Sequence, residues 1–124
     1  IYDYLPEKGP LGGIYTAMSV FKNSAFLILT CDMPSITPDI LKKLLEEHSL
    51  EENITVFSVS GEAQPFPGIY RRTIFPQVYQ NILEDHLSMH ALFDQVSCKK
   101  ILPWQGSSDF FSNINKRETL NSLL

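Results

Sequence analysis

The chain alternates apolar runs of strand length with stretches whose apolar residues recur at helical spacing. Apolar runs predict strands over residues 25–30 and 54–59, and shorter strands over 69–71 and 99–102. The run over 25–30 is almost continuously apolar, which is typical of a central strand that is covered on both faces, as in parallel sheets. The pattern therefore predicts at least one deeply buried strand near the start of the chain.

Helical stretches separate these strands, and residues that favour helix ends mark several of their starts. Pro38 suits the first position of a helix that Ser35 or Thr37 would cap, and Asn115 with Glu118 resembles a capping box. In chain order, helices are predicted over Ile14–Phe21, Pro38–His48, Phe75–His86, Met89–Val96 and from Asn115 onward. Strands that alternate with helices predict an α/β fold with a mostly parallel sheet.

Composition and charge narrow the class of protein further. The chain has 124 residues, of which 44% are hydrophobic and 19% charged, and it contains no low-complexity linker, so we expect a single domain. No apolar run approaches the roughly 18 residues that span a bilayer. A net charge of −4 argues against a nucleic-acid-binding protein. The two cysteines cannot form a disulfide framework and are typical of reduced thiols, which predicts a cytoplasmic protein.

The clearest candidate for chemistry is Asp32, which follows the apolar run over 25–30. Open α/β sheets bind ligands beyond the carboxyl ends of their strands, and a carboxylate there is a natural ligand for Mg²⁺. The alternative is that Asp32 organises the turn into the following helix through hydrogen bonds to backbone N–H groups.

A glycine-rich stretch, Gly9–Gly13, is the second candidate. We interpret it as a turn before a helix, where the backbone approaches a ligand closely and the helix N-terminus favours an anion. It lacks the Lys-Ser/Thr pair of a Walker loop, so a plain strand-to-helix turn remains the alternative. Asp3 would end an opening strand and face the same crevice, or it would be a simple loop residue.

Polar and aromatic residues later in the chain offer further candidates. Asn113 and Asn115 alternate around Ile114, so both amides would face one side, although Asn115 is also an ordinary helix N-cap. Trp104 would stack on a heterocycle or fold onto the core. Arg71 would reach a phosphate or belong to a solvated face.

Four of these segments, taken in order, resemble the molybdenum cofactor guanylyltransferases of the MobA type. The resemblance covers essentially the whole chain. Its pieces are Asp3 with 9–13, residues 31–34 with 37–41, residues 64–70, and residues 111–115 with Glu118 and Leu120.

The resemblance implies a three-layer α/β/α, Rossmann-like nucleotidyltransferase fold that joins GMP from GTP to molybdopterin and releases pyrophosphate. It implies that Asp32 is the catalytic residue and holds the cofactor Mg²⁺ against the triphosphate. It implies that Asn113 and Asn115 line the substrate cleft. The residues that would contact the nucleotide are Asp3, Gly9, Pro10, Leu11 and Asp32.

The chain also departs from the family pattern. The family's opening strand and its glycine-rich loop, whose Arg and Lys grip the triphosphate, are absent from these 124 residues, and Gly12 stands where the family usually has Ala. We therefore interpret residues 1–124 as the C-terminal portion of an N-terminally incomplete nucleotidyltransferase domain. Without that triphosphate clamp, we expect a polypeptide of these residues alone to be inactive or nearly so.

Two other readings stay open at the level of sequence. The absent segment would largely determine which nucleotide base is recognised. One alternative is therefore a molybdopterin cytidylyltransferase, or a sugar-phosphate or polyol nucleotidyltransferase, of the same superfamily. A non-catalytic partner domain of the same fold is the other. GTP and molybdopterin are the expected substrates, with molybdoenzymes or other cofactor-biosynthesis proteins as further candidate partners. Neither nucleic acid nor a membrane is expected as a partner.

Overall fold

A computed structural model of the protein describes residues 9–29 and 37–104. The described residues form, in chain order, α1 (Gly9–Val20), β1 (Ala25–Ile28), α2 (Pro38–Glu47), β2 (Ile54–Val59), β3 (Glu62–Arg71), a 3₁₀ turn (Arg72–Ile74), α3 (Phe75–Leu83), α4 (Met89–Gln95) and β4 (Lys99–Pro103). None of the helices in this part of the chain has the length and apolar character needed to cross a membrane.

The four strands form one mixed sheet in the order β1-β3-β2-β4. β2 and β4 pair in parallel, whereas β3 is antiparallel to both β1 and β2. Three of the four strands therefore share one direction, and the α/β fold is confirmed. The described sheet is mixed rather than mostly parallel as predicted, because two of its three strand pairings are antiparallel. The antiparallel strand inside the sheet follows from a tight turn, where Ser60 and Gly61 have φ of 53° and 83° and reverse the chain directly after β2.

The helices lie on both faces of the sheet. Thr55 of β2 pairs with Lys100 of β4, and both side chains contact the end of α2. Thr55 Oγ1 lies 2.9 Å from His48 Nδ1, and Lys100 Nζ lies 3.5 Å from a carboxylate oxygen of Glu47. The neighbouring residue Lys99 points the opposite way and donates a hydrogen bond to a backbone carbonyl in α4. α1 packs against α3, and α3 against α4. The described residues therefore form three layers, with α2 on one face and α1, α3 and α4 on the other.

The core lies on both sides of the two inner strands. Tyr70 of β3 is fully buried, and its hydroxyl donates to the carbonyl of Pro65 at 2.5 Å. Burial raises the pKa of the Tyr70 hydroxyl well above its usual value. The core also contains fully buried aliphatic side chains on both faces of the sheet, each contributing about 1.5–3 kcal/mol to stability. They are Leu11, Ile14, Leu44, Ile54, Val78 and Leu92.

The first helix begins earlier than its sequence predicts. The glycine-rich stretch is not a separate turn, because α1 starts at Gly9 and includes all five of its residues. Pro10 is compatible with the first turn of a helix, where its missing N–H has no intrahelical role. Leu11 is fully buried, which docks the first turn into the core and outweighs the poor helix propensity of the glycines.

The other described helices agree closely with the sequence prediction at their starts. Thr37 caps α2 by accepting a hydrogen bond from the N–H of Ile40 at 3.4 Å, and Ser88 caps α4 by accepting from the N–H of Ala91 at 3.3 Å. α3 ends at Leu83, three residues before the predicted end. Asp85 there adopts a positive φ of 59°, which a continuing helix excludes. The predicted terminal helix from Asn115 lies outside the described residues.

Arg72 ties the end of α1 to the sheet. Its guanidinium donates hydrogen bonds to the carbonyls of Met18 at 2.9 Å, Asn23 at 2.8 Å and Phe21, and it lies over the ring of Phe26 at 5.4 Å from the centroid. A cation at a helix C-terminus satisfies carbonyls that have no partner within the helix. This arrangement fixes where α1 ends relative to β1.

Candidate functional site

The strand directions define one edge of the sheet as the place for a ligand. β1, β2 and β4 run in the same direction, so their carboxyl ends meet at one edge, where β3 begins. In open α/β sheets, ligands bind in the crevice beyond this edge. We call this region the carboxyl edge and define it by Leu29, Val59, residues 62–66 and Trp104.

Strand β1, which precedes the segment that carries Asp32, ends at the carboxyl edge. β1 ends at Ile28, and Leu29, which is 43% exposed, is the last described residue before that segment. Strand β1 confirms that a strand forms within residues 25–30, and it ends two residues earlier than predicted. The prediction that this strand is central and deeply buried is not confirmed, because β1 lies at one end of the described sheet and its four residues are half-buried. Asp32 itself lies outside the described residues, as do Asp3, Asn113 and Asn115. Their roles stay predictions.

Gly9, Pro10 and Leu11 form the first turn of α1. Arg72 holds the C-terminal end of α1 near the start of β1, and α1 packs against β1. Since α1 is about 18 Å long, its N-terminal turn lies toward the carboxyl edge. Gly9 and Pro10 are exposed, whereas the side chain of Leu11 is fully buried. The Leu11 side chain is thus a core residue, and only its backbone is placed to meet a ligand.

A bulge in β3 lies beside the end of β1 and was missed by the sequence prediction of a short strand. Val56 of β2 pairs with Gly68, but the next residue, Phe57, pairs with Gln64, so residues 65–67 are extra on β3. The prolines at 65 and 67 have no N–H to donate to a neighbouring strand, which favours an interruption of the pairing here. The Phe66-Pro67 peptide bond is cis.

Gly68 allows the bulge to fold tightly against the sheet. A Cβ atom at this position would lie 2.7 Å from the Pro65 carbonyl oxygen and 2.8 Å from Val56 Cγ1. Both contacts are shorter than real Cβ contacts, so any side chain would force the backbone of the bulge away. Gly68 also pairs with Ile28, the last residue of β1. The shape of the carboxyl edge beside β1 therefore depends on this glycine.

Trp104 lies at the far end of the same edge. The backbone N–H of Trp104 donates to the backbone carbonyl of Ser58 at 2.9 Å, and this hydrogen bond continues the pairing of β4 with β2 by one residue. Its ring meets the ring of Phe57 edge to face, with the centroids 5.1 Å apart and the planes at 78°. Trp104 is half-buried and packs against the core, as one of the two sequence readings predicted.

Arg71 lies at the opposite edge of the sheet. It pairs with Ala25, the first residue of β1, and its guanidinium donates to the carbonyl of Leu50. This position is away from the carboxyl ends of β1, β2 and β4, so Arg71 does not belong to the carboxyl edge, and its contact with a phosphate stays a prediction. The sequence could not distinguish the two ends of β3, because the direction of that strand depends on pairing with distant segments.

His48 lies near Arg71, at the edge opposite the candidate site. Burial lowers the pKa of His48, the positive charge of Arg71 lowers it further, and Glu52 opposes the shift. His48 contacts Thr55 of β2, so this group of residues belongs to the packing of α2 on the sheet.

Residues 9–29 and 37–104 contain no group of three or more His, Cys, Asp or Glu side chains that could hold a metal ion. The magnesium ligand predicted from the sequence lies outside these residues. Asp32 is the sequence-predicted donor, and a single carboxylate is sufficient for Mg²⁺ when phosphate and water oxygens complete its coordination.

The described fold defines the class: an α/β protein with three co-directional strands whose carboxyl ends meet at one edge. Comparison with known families makes this specific. The profile of the MobA-like NTP transferase domain matches residues 1–99, and the chain belongs to that family.

Named relatives agree with this membership. The chain is 40% identical to a "probable molybdenum cofactor guanylyltransferase" of Flavobacterium johnsoniae, over 98% of this chain and 69% of that protein. It is 32% identical to a protein of the same name from Carboxydothermus hydrogenoformans, over 98% of this chain and 64% of that protein. The chain thus spans about two thirds of the length of these relatives.

Solved structures share the fold. A protein of Aquifex aeolicus superposes with a TM-score of 0.69 at 19% identity, covering 77% of this chain and 49% of that one. The molybdopterin-guanine dinucleotide biosynthesis protein A of Archaeoglobus fulgidus superposes with a TM-score of 0.67 at 18% identity, covering 77% and 47%. At these identities the likeness establishes the α/β fold alone.

Proposed function

We propose that this protein transfers GMP from GTP to molybdopterin and releases pyrophosphate. The observation that carries the proposal is the 40% identity, over 98% of the chain, to a relative that is named a molybdenum cofactor guanylyltransferase. The choice of GTP over CTP, and of molybdopterin over a sugar phosphate, rests on that relative's name. The carboxyl edge supports the proposal, because the N-terminus of α1 favours an anionic ligand and β1 ends there four residues before Asp32, the proposed ligand of Mg²⁺.

The reaction requires positioning and charge neutralisation more than covalent chemistry by the protein. An oxygen of the molybdopterin phosphate attacks the α-phosphorus of GTP, and a new P–O bond forms. The bond from the α-phosphorus to the bridging oxygen breaks, and pyrophosphate leaves with the electron pair. Holding the two substrates in line converts this into an effectively unimolecular step, so no protein nucleophile is needed.

Asp32 is the residue proposed to hold Mg²⁺. It follows the last residue of β1 by four positions, and that strand ends at the carboxyl edge. When bound, the ion would neutralise charge on the triphosphate and on the leaving pyrophosphate. The proposed contribution of Asp32 is to fix one oxygen ligand at the end of a strand that the sheet holds rigidly.

The first turn of α1 is proposed to contact the nucleotide through its backbone. α1 contains no charged residue, so the favourable field at its N-terminus comes from the helix dipole and the N–H groups of its first turn. Gly9 and Pro10 are exposed there, and Asp3 lies a few residues before them. Asn113 and Asn115 are proposed to line the cleft on the acceptor side, where amides offer both donors and acceptors.

The proposal is tested by measuring pyrophosphate release from the protein as its organism produces it, with molybdopterin and either Mg–GTP or Mg–CTP. We expect release with GTP and little with CTP. Asp32→Asn should lower kcat by about 100-fold or more, because a lost electrostatic contact to the transferring group costs several kcal/mol. Asp39→Asn, which removes an exposed carboxylate in the first turn of α2, is the matched control and should change kcat less than twofold.

Three outcomes would contradict specific parts of the proposal. Absence of turnover with any nucleotide contradicts a transferase function, and a preference for CTP contradicts guanylyl transfer. Equal kcat for Asp32→Asn and Asp39→Asn contradicts the role of Asp32.

A further inference from the structure

Trp104 occupies a position that the proposed chemistry does not use. It directly follows β4, the strand at the end of the described sheet opposite β1. The hydrogen bond from its N–H to Ser58 fixes its backbone to β2 at the carboxyl edge. The ring is therefore held on the ligand-binding side of the sheet, on a strand rather than on a long loop.

The ring of Trp104 is preorganised by the core. Phe57, which is 2% exposed, packs against it edge to face at 5.1 Å between centroids. A ring that is already fixed by such a contact loses little conformational freedom when a second planar group stacks on it. Because Trp104 itself is only half-buried, part of its surface is open to solvent at the carboxyl edge.

The sheet order sets the distance between Trp104 and the proposed reaction centre. Three inter-strand spacings separate β1 from β4, which is about 14 Å at about 4.8 Å per spacing. That distance is too long for a group that contacts the transferring phosphate held after β1. It suits the far end of an elongated substrate whose phosphate lies at the reaction centre and whose ring system lies along the edge.

Only one of the two proposed substrates fits as the elongated molecule whose ring system reaches Trp104. The proposed nucleotide contacts, Gly9 and Pro10, lie on α1, which packs against β1 and α3. The nucleotide is therefore assigned to the β1 end of the edge, and the acceptor to the β4 end. Molybdopterin has a fused, planar heterocycle at one end and the reacting phosphate at the other.

From this geometry we propose that Trp104 is a binding residue for the acceptor, on which the fused heterocycle of the pterin stacks. The inference rests on the proposed function for the identity of the acceptor. Stacking on an aromatic side chain requires only that the ligand has a flat ring face, and it raises affinity by about 5-fold to 100-fold.

The test compares two variants at this position in the native protein. Trp104→Met fills much of the same volume against Phe57 but has no aromatic face, whereas Trp104→Phe keeps a ring. We expect Trp104→Met to raise the KM for molybdopterin by about 5-fold to 100-fold, with the KM for GTP unchanged within twofold. Trp104→Phe should restore most of the acceptor affinity. Tyr79→Leu removes a 45% exposed aromatic ring from α3 and should leave both KM values unchanged.

A binding measurement separates this inference from the proposed function. Isothermal titration with 6-hydroxymethylpterin as the probe should show binding to the wild-type protein and a dissociation constant about 5-fold or more higher for Trp104→Met. If the pterin binds in this way and no GMP is transferred, the proposed function fails and the stacking role of Trp104 stands.

Two results would overturn the inference while GMP transfer continues. One is an acceptor KM and a pterin dissociation constant that do not change in Trp104→Met. The other is a parallel increase in both KM values, which would assign Trp104 to general packing. Melting temperatures establish that each variant is folded. If Trp104→Met does not fold, Trp104→Leu takes its place as the variant without an aromatic face, and an acceptor KM and a pterin dissociation constant equal to those of the wild type overturn the inference.

Discussion

Gly68 shows how one residue controls the shape of the candidate site. It is the point at which β3 resumes regular pairing after its bulge, next to the end of β1. Its lack of a side chain lets the Pro65 carbonyl and the Val56 side chain approach to distances that no other residue permits. The sequence marked this stretch only as proline-containing, because a close approach of this kind depends on neighbours that are distant along the chain.

Gly68→Ala is expected to destabilise the protein by about 1–3 kcal/mol, the usual cost of inserting a methyl group into a packed region. Urea unfolding measures the change. Gly61→Asn is the matched control, since nothing lies within 4 Å of a Cβ at Gly61 and Asn tolerates the positive φ of that turn. A Gly68→Ala variant as stable as the wild type would show that the bulge is not tightly packed.

His48 predicts a pH dependence of stability. Its pKa is lowered in the folded protein, first by burial. Below the ordinary value of 6.5, the unfolded chain takes up a proton that the folded protein resists, so the free energy of unfolding falls as the pH drops below 6.5 toward the folded pKa. Above 6.5 both states are neutral and the effect is absent.

The measurement is urea unfolding between pH 7 and pH 5. Compared with the wild type, His48→Gln should lose part of the decrease in stability over this range. His90→Gln, which replaces an exposed histidine on α4, should keep it. If His48→Gln and the wild type show the same slope, His48 does not carry the effect.

At the scale of elements, the predictions that succeeded rest on local signals. Thr37 with Pro38 and Ser88 each place a helix start correctly, because a cap acts within three or four residues of chain. The start of α1 was predicted too late, because burial of Leu11 in the core overrides the glycines around it. The length of β3 was underestimated because its pairing partners, β1 and β2, are not local.

Arg72 links two elements, and its removal should loosen α1. Arg72→Met loses three hydrogen bonds to carbonyls at and after the end of α1, for an expected cost of about 2 kcal/mol, since the group is partly exposed. Hydrogen exchange should become faster at the C-terminal end of α1, residues 17–23. Lys22→Met, which removes an exposed cation from the same segment, should change neither exchange nor stability. Unchanged exchange in Arg72→Met would contradict this link.

At the scale of the molecule, the sequence predicted the α/β class of fold, and the described strands confirm it. The sequence proposed Asp32 through its position after an apolar run, but Asp32 lies outside the described residues and its role stays a prediction. It could not distinguish Arg71 at one edge from Trp104 at the other, since their separation is set by strand order and direction. Membership in the MobA-like NTP transferase domain family supplies the chemistry that the described residues alone do not specify.

The central claim is that GMP moves from GTP to molybdopterin, and the fate of labelled phosphate tests it most directly. The native protein is incubated with Mg²⁺, molybdopterin and GTP that carries ³²P at either the α- or the γ-position. We predict that the α-label appears in the pterin product and the γ-label in pyrophosphate. Recovery of the α-label only in GTP, GDP or GMP, with none in the pterin product, would contradict the claim.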